Sequence, residues 1–381
     1  MFGGVEMPDR GAGPPSPVDR RYPQEDFWST QERLLDLGVR AEELGFDSYW
    51  VAEHHFQHEG YEVVPNGILF GAFLAARTTS LRIGTLFNIV PQWHPLRLAE
   101  DFATLHNLSG GRAIFGVGRG TVPREVETLS GFGTSVGSFD NPDQASADAR
   151  NREVFEEAME VIRVAWSEEH FSFRGNYYEL PPLGTADRGG VAERLTLIPR
   201  PRYPYEIWQA VTSPPTLDYV PRAGHGAVFW NLHHTFLARS WQKYAELWAK
   251  HQGGTLEPGA NRMLVLNIRV EDSHELAWSR ARPGHDEFWK FLGPYGWSRG
   301  YMGPDGKAAP PGLVPSLEES VEQRAWIIGT ADEVAAGLDF YRQELGLQNL
   351  LVFPNFPGDP YSETEDQMAR IAEQVLPLVQ P

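Results

Sequence analysis

The sequence contains no cysteine. Disulfides, thiolate nucleophiles and Cys-ligated metals are therefore excluded, and with them the disulfide-dense secreted scaffolds. A cysteine-free chain suits a reducing compartment, and a cytoplasmic location is expected. Long apolar runs are also missing: nothing approaches the roughly 20 residues that span a bilayer. Residues 1–20 mix acids, prolines and glycines and lack the basic-then-apolar order of a signal peptide. A soluble protein with no membrane partner is expected. Positive charge is scarce too, with 33 Lys and Arg against 51 Asp and Glu and a formal net charge of -18. Such a chain repels polyanions, which argues against a nucleic-acid partner. Any phosphate it holds must be gripped locally, by a few arginines and backbone N–H groups.

What is present reads as one globular unit. The 381 residues are 41% hydrophobic and 22% charged, a length normal for a single α/β barrel with insertions. Short apolar runs alternate with longer amphipathic stretches, the βαβα pattern of a parallel sheet. Eight strands are expected: Phe2–Glu6, Asp47–Ala52, Leu81–Phe87, Ala113–Val117, Glu206–Val211, Gly226–Trp230, Met263–Val270 and Asn349–Phe353. Each is followed by helical sequence, which favours a closed (β/α)8 TIM barrel spanning residues 1–381 as a single domain. Insertions fall near 121–150, read as a polar loop, 170–205, read as a hairpin and Pro-rich connector, and 292–315, read as an excursion over the barrel mouth. Residues 271–328 are expected to start and finish helical. In such barrels the site lies at the C-terminal ends of the strands, where the chemically suggestive residues of this chain fall.

Glu53-His54-His55 ends the second strand, with His58, Glu59 and Tyr61 beyond it. Adjacent residues of an extended chain point to opposite faces, so both histidines cannot enter one site, and no metal is expected. One pocket-facing histidine suits proton transfer near neutral pH; a strand-end histidine bonded to a neighbour is the plainer alternative. Gly118-Arg119-Gly120 follows the fourth strand, where glycines let backbone N–H groups and an arginine approach a phosphate. Arg152, at the start of the next helix, adds a cation. Thr212-Ser213-Pro214, opening the helix after the fifth strand, adds hydroxyls and helix N–H groups. A surface arginine and an ordinary N-cap remain the alternatives here. The aromatics Phe56, Tyr61, Phe87, Trp93, Trp230 and Trp297 can line an apolar pocket or simply fill the core.

The order of these pieces resembles the bacterial luciferase-like flavin-dependent monooxygenases. The likeness is carried by Ala41-Glu-Glu-Leu-Gly-Phe-Asp-Ser-Tyr-Trp-Val-Ala-Glu-His-His-Phe56, by Leu81-Arg-Ile-Gly-Thr85 with His94-Pro95-Leu-Arg-Leu-Ala-Glu-Asp101, by Ser109-Gly-Gly-Arg-Ala-Ile-Phe-Gly-Val-Gly-Arg-Gly120, and by Ile328-Gly-Thr-Ala-Asp-Glu-Val334. The resemblance implies reduced FMN supplied by a separate NAD(P)H:flavin reductase, O2 as co-substrate through a flavin C4a-peroxide, an apolar small-molecule substrate and a homodimer. It places His54 at the histidine that assists this chemistry. It places Glu53, Leu86, Phe87, Gly118, Arg119, Arg152, Thr212, Ser213 and Thr216 around the cofactor, with Leu86–Phe87 at a non-prolyl cis peptide under the flavin ring. Light-emitting members carry a cysteine where this chain has Gly118, so light emission is not implied. A deazaflavin-dependent hydride-transfer oxidoreductase and a non-catalytic flavin-binding protein are the rival readings.

Overall fold

The computed structural model describes residues 1–11, 20–137, 142–303, 305–310 and 312–379. Its main sheet has nine strands: β1 (Ser48–Val51), β2 (Arg82–Thr85), β3 (Asn88–Ile89), β4 (Ala113–Gly118), β5 (Ile207–Ala210), β6 (Gly226–Trp230), β7 (Arg262–Val270), β8 (Trp326–Gly329) and β9 (Asn349–Phe353). They run β1-β2-β4-β5-β6-β7-β8, with β3 paired to β4 and β9 paired to β7. Every pairing is parallel. All nine residues of β7 are buried, as expected of a strand covered on both faces. The helices are α1 (Gln24–Glu43), α2 (Gly67–Arg77), α3 (Pro95–Leu108), α4 (Pro123–Leu129), α5 (Pro142–Ser167), α6 (Pro214–Arg222), α7 (His234–His251), α8 (His274–Leu292), α9 (Leu317–Glu322), α10 (Ala331–Leu345) and α11 (Tyr361–Arg370).

The sheet is a curled, parallel half-barrel. The stretch Phe2–Glu6, expected as the first strand, forms no strand ladder. Gly3 instead accepts from the Val63 N–H at 2.9 Å and Val5 donates to the Gly60 carbonyl at 2.8 Å. The Asn355 carboxamide bonds Phe2 on its N–H and C=O, at 3.1 and 2.8 Å. Gly4 makes this approach possible: a Cβ there would stand 2.5 Å from the Tyr61 carbonyl oxygen.

Three further expectations are corrected. The segment 121–150 is not one polar loop: it holds α4 and the first turns of α5, which begins at Pro142, so Arg152 stands inside that helix rather than at its start; residues 138–141 lie outside the described residues. Pro123 at N1 and the apolar spacing Val122–Val126 account for α4, whose Val126 is fully buried. Residues 271–328 do not finish helical. After α9 the chain becomes β8, four buried residues paired with Asn267–Val270, and Thr330 then caps α10 through a capping box with Glu333. The strand expected over 81–87 ends at Thr85; the Leu86–Phe87 peptide is cis, and pairing resumes with β3. The insertion at 170–205 contains two short hairpins. The excursion at 292–315 contains two 3-10 turns, Gly293–Tyr295 and Trp297–Gly300; its residues 304 and 311 lie outside the described residues.

Packing fixes the helices that matter for the site. The α5 residues Val154, Phe155, Ala158, Val161, Ile162 and Ala165 are buried against Phe102 of α3 and Phe115 of β4, at the three- and four-residue spacing of one helix face. That burial orients the opposite end of α5 toward the loop after β4. No helix among the described residues is long and apolar enough to cross a membrane.

Candidate active site

The segment after β1 builds the first part of the site. The His54 N–H donates to the Val64 carbonyl at 3.1 Å, which fixes the backbone where the side chain departs. The His54 Nδ1 faces the Glu125 carboxylate of α4, at 3.1 and 3.2 Å from its two oxygens. Gln57 donates to the same carboxylate at 2.5 Å. Burial alone would lower the His54 pKa; Glu125, with help from Glu62 and Glu53, outweighs it and raises the pKa to about 9. The pair is therefore an imidazolium held by a carboxylate at neutral pH, and Nε2 is left for another partner. Burial pushes the neighbouring Glu62 up to about 7, moderated by His54 and by the Gly3 N–H it accepts at 2.8 Å.

Glu53, almost fully buried, ties three elements together. It accepts from the Trp93 indole at 3.0 Å and from the Ile89 N–H of β3 at 3.3 Å, while His55 lies 3.6 Å away. The two adjacent histidines thus serve different carboxylates. Among the described residues no group of three or more His, Asp or Glu could hold a metal ion. Ile89 pairs in turn with Gly118 of β4, and a Cβ at Gly118 would meet the Phe87 Cβ at 3.2 Å. Gly118 therefore lets the strand lie against the residue that follows the cis bond.

Beyond Gly118 stands a cluster of opposite charges. Arg119 Nη1 donates to Asp148 Oδ1 and to Asn151 Oδ1, both at 3.1 Å. Arg152 lies 3.6 Å from the other Asp148 oxygen and donates to the Thr216 hydroxyl at 3.3 Å. Thr216 and Ser213 share a hydrogen bond of 2.9 Å. Burial, reinforced by Arg152 and countered by Asp148, lowers the Arg119 pKa. One correction applies at α6. Its first two residues are Pro214 and Pro215, which have no N–H, so this helix end offers hydroxyls more than backbone donors. Thr212 beside it is exposed.

The remaining residues divide. Tyr61 is committed to a buried network: its hydroxyl donates to Glu287 at 2.8 Å, where Arg20 also binds at 2.7 Å, and its ring stacks on Phe291 at 4.6 Å. Phe291 reaches His54 at 5.6 Å between ring centres. Trp230 and Trp297 pack edge to face at 4.8 Å among Phe2, Phe288 and Phe353. Phe56 is half exposed, with its ring centre 5.8 Å from that of His55. Sequence reasoning missed Glu125, Glu62, Asp148 and Asn151; the proline and valine spacing at 122–126 was the available signal for Glu125. A small cavity of about 40 Å³ lies between Gln57, Tyr61, Lys290, Phe291 and Tyr295. A larger groove of about 650 Å³ lies at the opposite, N-terminal ends of β5 and β6, away from these groups.

Comparison with known proteins places the chain in a family. The family model for luciferase-like monooxygenases matches residues 11–349. The chain is 28% identical over 334 residues to a 4-hydroxyprotoasukamycin monooxygenase of Streptomyces nodosus subsp. asukaensis, covering 84% of this chain and 79% of that one. It is 32% identical over 198 residues to an F420-dependent glucose-6-phosphate dehydrogenase of Amycolatopsis mediterranei (strain U-32), covering 51% of this chain and 52% of that one. In fold it is similar to the oxygenating constituent of 3,6-diketocamphane monooxygenase from the CAM plasmid of Pseudomonas putida, a structure in complex with FMN, with a TM-score of 0.71, 20% identity and coverage of 100% and 99%. The chain belongs to the luciferase-like monooxygenase family and is an enzyme of that flavin-dependent class.

Proposed function

We propose that this protein is an FMNH2-dependent monooxygenase of a two-component system that oxygenates an apolar small organic molecule. One observation carries the reading: the His54–Glu125 ion pair and the Arg119–Arg152–Thr216 cluster are joined through Glu53, Ile89, Gly118 and Phe87 on one rim of the sheet. The residues present fit the nucleotide. Two guanidiniums and two hydroxyls suit a phosphate monoester. On the ring side Asn88, directly after the cis segment, keeps a buried Oδ1 with no partner among the described residues.

When bound, reduced FMN with O2 supplies the oxygenating power. Arg119 and Arg152 bind the phosphate, with Thr216 and Ser213 completing its hydrogen bonds. Phe87 and Leu86 support the ring. His54, cationic through Glu125, donates a hydrogen bond or proton from Nε2 to a developing oxygen anion. Phe291, Trp230 and Trp297 exclude water and leave an apolar surface for substrate. A separate NAD(P)H:flavin reductase delivers the reduced cofactor from the cytoplasm. A second copy of the chain covers the outer face of α2, where Leu69 and Phe73 are more than half exposed, giving a homodimer that sedimentation velocity would detect. The whole chain then acts as one (β/α)8 domain.

The test is product formation from the protein, FMN, a flavin reductase, NADH, air and a panel of apolar ketones, aldehydes and phenols. Oxygenated product that disappears under anaerobic conditions supports the proposal; no oxygenation across the panel refutes it. The F420-dependent relative favours one second reading, hydride transfer without O2 through the deazaflavin F420. Turnover with a deazaflavin under strictly anaerobic conditions would establish that reading instead.

The pH profile follows from the ion pair. An acid at His54 must be protonated, so activity is expected to fall as pH rises through about 9. Glu125→Gln removes the charge that raises this pKa, and the fall should move to lower pH. A pH–rate profile of Glu125→Gln superimposable on that of the parent would rule out the ion pair as its source.

A further inference from the structure

The two arginines of the phosphate cluster already hold an anion of the protein's own, the Asp148 carboxylate. One oxygen lies 3.1 Å from Arg119 and the other 3.6 Å from Arg152, so it bridges the guanidiniums much as a phosphate would. Arg119 does not depend on Asp148 for its position, because Asn151 Oδ1 also accepts from Nη1 at 3.1 Å and Asn151 in turn donates to the Arg119 carbonyl at 3.3 Å. Arg152 is likewise held by Thr216. The cluster therefore contains a carboxylate that cancels one of its two positive charges without being needed to place either arginine.

We propose that Asp148 is an internal competitor for the phosphate site, which sets how loosely the nucleotide is held. The inference rests on the FMN reading above and deepens it. A phosphate arriving at Arg119 and Arg152 meets like charge at close range, which disfavours binding in a partly buried site. To bind fully, it must displace the carboxylate toward solvent, and Asp148 lies near the start of α5 with its side chain not wholly enclosed. A carboxylate that returns as phosphate leaves would speed release. That is the behaviour required of an enzyme that takes its flavin from a diffusing pool on each cycle, where a permanently bound cofactor would need to be reduced in place.

The experiment compares the dissociation constants of oxidised FMN and of riboflavin, which lacks the phosphate, for the parent and for Asp148→Asn, by quenching of flavin fluorescence. Asparagine keeps an acceptor oxygen for Arg119 and removes the charge. FMN affinity is expected to rise about tenfold or more in Asp148→Asn, through slower dissociation, with riboflavin affinity unchanged. Asp148→Ser should behave alike, and a thermal melt confirms that each variant folds. If FMN is preferred over riboflavin in both proteins but binds the variants equally or less well, Asp148 is a support for the arginines and the inference is overturned, while the FMN reading stands. If neither protein prefers FMN to riboflavin, the phosphate site itself is wrong and both fall together.

Discussion

His54→Ala is expected to lower kcat/KM for oxygenation by about 10²- to 10⁴-fold, the usual contribution of a positioned acid or base, while FMN affinity changes little. The separation follows from the geometry. His54 is anchored to Glu125 on α4, whereas the nucleotide tail is assigned to Arg119 and Arg152. Loss of the imidazole should also divert oxygen into hydrogen peroxide, which a peroxidase-coupled assay measures beside product. Full oxygenation by His54→Ala would reduce the residue to a structural role, whereas flavin binding without oxygenation in either protein would suit a non-catalytic flavin-binding protein. The ion pair has a thermodynamic side as well. A histidine with a raised folded pKa contributes stability fully below its unfolded value and loses that contribution as pH rises toward about 9. Parent and variant should therefore differ most in melting temperature at mildly acidic pH and converge under alkaline conditions.

The second large effect is expected at Arg119. Arg119→Ala should weaken FMN binding by about 1.5–3 kcal/mol, the worth of a hydrogen bond to a charged group, or roughly 10- to 150-fold in the dissociation constant. Riboflavin should bind both proteins equally. Isothermal titration with the two ligands checks this directly, and an FMN affinity unchanged by the substitution would move the phosphate elsewhere.

The sequence was informative where chemistry sits at the end of a regular element. Glu53 and His54 follow β1, Gly118 ends β4 and Arg119 follows it, and the structure joins the two strand ends through β3. Arg152 and Thr216 lie 64 residues apart and still meet. The partners were less legible. Glu125 and Asp148 sit in a stretch whose Gly, Ser and Asp content reads as loop, yet both are helical because tertiary burial of Val126, Val154 and Phe155 outweighs local composition. Trp326–Gly329 is only four residues long, flanked by helical sequence, and becomes a strand because Asn267–Val270 offers it an edge. The fate of Tyr61 was illegible for another reason. Its partner Glu287 is 226 residues away, and no local pattern reports such a pairing.

The prolines at 214 and 215 have a practical consequence. With fewer backbone amides turned toward the rim, the nucleotide's tail would be held chiefly by coulombic attraction to the two guanidiniums, and mobile counterions weaken such attraction over a Debye length of about 8–10 Å. Cofactor capture should therefore track the ionic strength of the medium, easing in concentrated salt and tightening in dilute buffer, so that the background electrolyte helps set how fast flavin changes hands.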